Sequence, residues 1–265
     1  MKKKNFILIG LSILLLLISI MMPFIGFNKN GIVLTNFPLN LLGSFILMFL
    51  GLKGLYKDTN NHDFYIGSVM CIVGIVVSIV GTLVSPLIIK NYTNIYKFYE
   101  ILYKMQDSED VSLFFFYFGK LFESFGIFFV VYIISFYFYG FAAFRFISGI
   151  KRQNIVVEHK VKLNKVVKTF IITNMILFII SAITMYFFKD FFMDFAPYVN
   201  SSELPDAVAA KLGLKFEGLY LGILPCLIVA SIFYYINVIK SLIFVFKTPN
   251  NFVKEEFEEV IDVNI

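Results

Sequence analysis

The sequence predicts an all-α, polytopic transmembrane helical bundle of six spans, with the N and C termini in the cytoplasm. Three observations carry this. Hydrophobic residues make up 59% of the 265 and charged residues only 15%, whereas a soluble domain carries about a quarter charged residues. The apolar residues come as long continuous runs, not as the 3.6-period stripes of helices that cover a soluble core. The charged residues fall mostly between those runs, with Lys and Arg in excess on alternate gaps.

A run must hold about 20 apolar residues to cross, because the hydrocarbon core is about 30 Å thick and a helix rises about 1.5 Å per residue. Six segments meet that length: 5–27, 31–56, 65–89, 113–148, 168–188 and 217–246. Lipid offers no hydrogen-bond partners, so each must satisfy its own backbone as a helix. Together they form a membrane domain over 1–246, followed by an acidic cytoplasmic tail over 247–265. The first run follows Lys2-Lys3-Lys4 as a signal peptide would. It is too long for a signal core and no small-x-small cleavage site follows, so it reads as a retained anchor. The segment 113–148 is too long for one upright span and too short for two with a turn. It reads as one helix whose membrane part begins near Gly126; a hairpin there would turn the basic 151–168 loop outward.

Alternation through six spans collects 15 Lys and Arg on the side of both termini and seven on the other, with Lys120 unassigned. Basic residues stay in the cytoplasm, which sets the orientation and predicts a multi-pass protein of the cell membrane. The net charge of +5 is spread between spans rather than gathered on one folded face, so a nucleic-acid partner is not expected.

Within the third span Gly67, Cys71, Gly74, Ser78, Gly81 and Ser85 line one helical face. Small residues let a second backbone approach closely, as static packing or as a sliding seam. Near the outer end of the second span Asn36 and Asn40 share a face beside Pro38. In the sixth span Pro225 holds a similar place, with small-Ser pairs and a Lys following each proline at matching distances. Two prolines breaking two helices around polar amides would resemble the discontinuous helices of transporters. Lys120 and Glu123, three residues apart, can pair as ions on the fourth helix. Cys71 and Cys226 both fall inside spans, with no metal-type spacing, and read as small buried residues.

Outside the spans, Tyr92, Tyr96, Tyr99 and Tyr103 form one face of a short interfacial helix. Ser202-Glu203-Leu204-Pro205-Asp206 reads as a helix start with Gly213 as its stop, in the outer loop 189–216. On the cytoplasmic side Lys151, Arg152, Lys160, Lys162, Lys165 and Lys168 make a basic patch that would attract anionic lipid. That patch could also dock the acidic tail, whose short helix would be capped by Thr248-Pro249.

Chemistry is sparse. His62 and His159 stand apart in loops, and no metalloprotease, phosphate-loop or nucleophile-elbow motif occurs. No catalytic, cofactor or metal site is expected, and an enzyme is the least supported class. The expected role is a non-enzymatic, membrane-embedded accessory or scaffold protein with a membrane protein partner; the alternative is a small transporter or permease component. A reporter fused after Lys168 is expected to lie inside the cell, and reporter activity outside would invert the map.

Overall fold

The computed structural model describes residues 2–21, 26–28, 31–33, 36–89, 111–199 and 205–252. These are nearly all helical. α1 spans Lys3–Met21, α2 Asn36–Thr59, α3 His62–Ile89, α4 Val111–Lys151, α5 Val157–Phe195, α6 Asp206–Glu217 and α7 Leu224–Lys247. A two-stranded hairpin, β1 (Gly26–Asn28) and β2 (Gly31–Val33), pairs antiparallel with Gly26 opposite Val33.

Among the described residues, four helices are long and apolar enough to cross a membrane: His62–Gly81, Val130–Lys151, Val157–Tyr198 and Asp206–Asn251. The expected boundaries need correction at several points. The first run ends as a helix at Met21 and the second begins at Asn36, with the paired strands Gly26–Asn28 and Gly31–Val33 between them. Residues 113–148 belong to one unbroken helix of 41 residues, about 62 Å long at the helical rise. The fifth helix begins and ends well outside 168–188, so most of the basic loop and the start of the outer loop are helical. Gly213 stops nothing: α6 runs through it and passes by a π turn, Gly218–Ile223, straight into α7. A glycine ends a helix by turning left-handed, and here the backbone stays right-handed beyond Gly213, with Gly218 itself at φ −59°.

Each long helix packs on the next in chain order, and α7 closes the ring against α1. Aromatic side chains fill the interior. Phe6, Phe45, Phe136, Tyr139, Phe146, Phe170 and Phe178 are fully or almost fully buried, and the ring centroids of Phe45 and Tyr139 lie 5.7 Å apart in an edge-to-face pair. The α2–α3 connection is two residues long. Asn60 takes φ 54°, the left-handed value that Asn tolerates, and donates its N–H to the Tyr56 carbonyl at 2.7 Å. Asn61 then caps α3, its Oδ1 accepting the Asp63 N–H at 3.0 Å.

Beyond the charge-free stretch, α4 and α5 continue as a pair stitched by phenylalanines. Phe118 and Phe192 lie 4.7 Å apart and Phe122 and Phe188 4.9 Å apart. Glycine placement tests how tightly the bundle is built. A Cβ at Gly74 would enter the ring of Phe45, whereas one at Gly213 would meet nothing within 4 Å. Gly74→Ala is therefore expected to cost about 1–3 kcal/mol by overpacking, and Gly213→Ala to add up to about 1 kcal/mol of helix propensity. Thermal unfolding in detergent checks both signs.

Candidate functional site

Small-residue faces occur twice, and they differ in what stands over them. On α3 the face of Gly67, Cys71, Gly74, Ser78 and Gly81 is occupied from within. A Cβ at Gly67 would meet Leu52 of α2 at 3.0 Å and the Ala142 carbonyl of α4 at 3.3 Å; one at Gly81 would meet Val131 at 2.5 Å. The side chain of Ser85 lies outside the described residues. The second face is open. Gly218, Gly222, Cys226 and Ala230 follow at intervals of four along the π turn and the start of α7. Nothing stands within 4 Å of a Cβ built at Gly218 or Gly222.

Beside this open face lies an apolar groove of about 440 Å³, with Pro225, Cys226, Val229 and Ala230 on one wall and Thr173 and Ile176 of α5 on the other. Only 11% of the apolar window in Asp206–Asn251 is buried within the bundle, against 33–50% in the other three candidate spans. Cys226 is exposed rather than buried as expected from its place in a span, because it lines this open groove; Cys71 is buried. The four-residue spacing was readable in the sequence. What periodicity could not tell is which of two similar faces the bundle itself covers.

The polar residues singled out near Pro38 give a different picture from the expected broken helix. Asn36 opens α2 and Pro38 sits in its first turn, where a missing N–H has no helical acceptor to lose. The side chains of Asn36, Pro38 and Asn40 lie outside the described residues. Pro225 follows the π turn, and the helix continues through it. A π turn widens the backbone at the point where proline withholds its N–H, so the chain bends its hydrogen-bonding pattern without breaking. Lys120 and Glu123 do pair, at 2.8 Å, and Lys189 of α5 joins them at 3.3 Å. Nearby, Lys215 of α6 reaches Asp190 at 2.5 Å and Asp194 at 2.6 Å, and Lys211 reaches Asp194 at 2.9 Å. Hydrogen bonds from Lys215 and then Lys211 hold the Asp194 carboxyl below the usual range. The Tyr92–Tyr103 series lies outside the described residues.

At the opposite end, here called the base, a cluster escaped the sequence reading. The chain has 21 Lys and only two Arg, and both arginines reach one buried carboxylate. Arg145 Nη1 donates to Asp63 Oδ1 at 3.1 Å. Arg152 Nη1 stands 3.3 Å from Asp63 Oδ2, an ion pair whose angle falls short of a hydrogen bond. Asp63 is 3% exposed and lies in the first turn of α3, where the helix dipole also favours a negative charge. Asn61 ties the same corner to α4, its Nδ2 donating to the Gly149 carbonyl at 3.1 Å.

Of the basic patch, Lys151 ends α4 and Arg152 lies in the turn after it, whereas Lys160, Lys162, Lys165 and Lys168 ride on α5. Lys160 donates to the Lys151 carbonyl at 3.2 Å, Lys162 pairs with Glu158, and Lys165 and Lys168 are exposed. The chain after α7 does return to this region, through backbone and rings: the Val156 N–H donates to the Asn251 carbonyl at 3.0 Å, and the Phe252 ring lies 6.2 Å from Phe6. Thr248 caps no tail helix, since its hydroxyl donates back to the Phe244 carbonyl at 2.8 Å as α7 runs on into a short 3₁₀ turn. The acidic residues from Glu255 onward lie outside the described residues.

No group of three or more His, Cys, Asp or Glu side chains fit to hold a metal ion occurs among the described residues. No family model matches the chain, and comparison with curated proteins and with solved structures finds no match.

The Asp63 cluster yields a direct expectation. Asp63→Asn removes the charge both arginines face while leaving its shape. With Arg145 and Arg152 partly exposed, the loss is expected at about 1–2 kcal/mol, between exposed and buried ion pairs. Chemical unfolding in detergent reads it, and Glu158→Gln, on a fully exposed pair, is the control expected to show no loss.

Proposed function

We propose that this chain is a non-enzymatic accessory protein of the cell membrane, which crosses it six times with both termini inside and receives a transmembrane helix of a partner protein. The observation that carries the reading is the open small face of Gly218, Gly222, Cys226 and Ala230 beside the apolar groove. In lipid, helices gain nothing from hiding apolar surface, and association comes from close backbone approach over small residues. The equivalent face on α3 is spent inside the bundle, while this one has no helix on it among the described residues. The basic residues at the base suit anionic headgroups and would hold the bundle upright against the inner leaflet.

A second reading, a small transporter or permease component, is favoured by one observation: several buried polar groups on α5 and α7 lack hydrogen-bond partners among the described residues. The filled aromatic interior weighs against it as the main role.

The partner reading is tested by placing a photo-reactive residue at Val229 and irradiating cells. A protein adduct is expected, and Gly222→Leu should reduce its yield about tenfold or more by blocking close approach. Thermal stability of the bundle should be unchanged, because nothing packs on Gly222. Adducts with lipid alone would overturn the reading.

A further inference from the structure

At the base, the end of α7 is fastened to the start of α5. α7 runs into the 3₁₀ turn Thr248–Asn251, and the buried Thr248 hydroxyl lies 3.0 Å from His159 Nε2. Phe252 then takes an extended backbone, φ −69° and ψ 132°, and bridges Ile155 in the antiparallel sense, next to the bond from the Val156 N–H to the Asn251 carbonyl. Phe252 is thereby pinned to the connection between α4 and α5. An antiparallel bridge points the chain leaving Phe252 back along Asn154 and Gln153, towards Arg152 and Lys151.

That corner is basic. Lys151 and Arg152 are exposed, and the partly exposed Lys160 places its Nζ 3.2 Å from the Lys151 carbonyl. The Arg152 side chain is 67% exposed and meets Asp63 through Nη1 at 3.3 Å, so its fork keeps donors for a second carboxylate. Between 151 and 168, six Lys and Arg stand against Glu158 alone, and that carboxylate is paired with Lys162. The sequence after Phe252 carries the opposite charge, with Glu255, Glu256, Glu258, Glu259 and Asp262 against Lys254 alone. Counted outward from the bridge, Glu255 and Glu256 stand as many residues from Phe252 as Arg152 and Lys151 do from Ile155. Extended chain of that length spans about 10–13 Å.

We propose that the acidic segment after Phe252 docks on the corner formed by Lys151, Arg152 and Lys160, with Glu255 and Glu256 as its first contacts. A single exposed ion pair contributes little, about 0–1 kcal/mol. Here the anchor at Phe252 holds the two charge clusters at a local concentration on the order of millimolar or above, so several weak pairs act together. The segment competes with anionic headgroups for this corner, whereas Lys165 and Lys168, farther along α5 and exposed, keep the headgroup role given above. The contact joins two parts of one chain at the base, so it stands or falls apart from the partner helix at Gly222.

The test uses the full chain in nanodiscs of mixed phosphatidylcholine and phosphatidylserine, treated with a zero-length carbodiimide. This reagent joins a lysine amine to a touching carboxylate, whether of the protein or of phosphatidylserine. Mass spectrometry is expected to find Lys151 and Lys160 joined to Glu255 or Glu256, with the Lys162–Glu158 pair as the internal control for coupling. Lys151→Glu and Glu256→Lys should each lower coupling at Lys160 about fivefold or more, and the two together should restore it. Adducts of phosphatidylserine in place of the segment at Lys151 and Lys160 assign the corner to the membrane and overturn the proposal. The absence of segment adducts beside a coupled control pair overturns it too, as does a double exchange that restores nothing.

Discussion

Hydrocarbon gives the peptide backbone nothing to bond to, and most of this fold follows from that constraint. The chain crosses as helices because a helix alone closes its own N–H and C=O groups within one segment. α4 and α5 do not end where their charge-free stretches end. They continue instead, and side chains suited to their new surroundings take over: phenylalanines between the two helices, and lysine–carboxylate pairs around them. Even proline at position 225 is accommodated by a π turn rather than by a break.

The interior is rich in rings. Beside the Leu and Ile of its core, large Phe and Tyr side chains from α1, α2, α4, α5 and α7 are buried between the helices. Rings need room, and glycine supplies it. Gly74 lies under Phe45, and Gly149 under Phe64. On the small face of α3, Gly74 makes room for a ring, whereas Gly67 and Gly81 face Leu52 and Val131.

Legibility in the sequence divided along physical lines. Long apolar runs need only counting, so the helical membrane class and the helical nature of 113–148 were readable from hydropathy. Most boundaries were not, because a helix keeps its hydrogen bonds while its composition changes; Val157 begins a helix that the apolar count starts later, whereas the start at Asp206 was readable from its Pro-Asp signal. Ion pairing between Lys120 and Glu123 was readable because both lie on one helix. The Asp63–Arg145–Arg152 cluster was not, since it joins residues 82 positions apart.

The overlong α4 and α5 have a mechanical corollary. Two helices of about 60 Å, stacked ring against ring for their outer third, form a stiff lever whose pivot lies in the bilayer. A tilt of about 10° at the pivot would sweep the far tip by several ångströms, on the order of two helical turns at most. Any slight rearrangement among the helices at the base is thus delivered, enlarged, to whatever touches α6 at the far end.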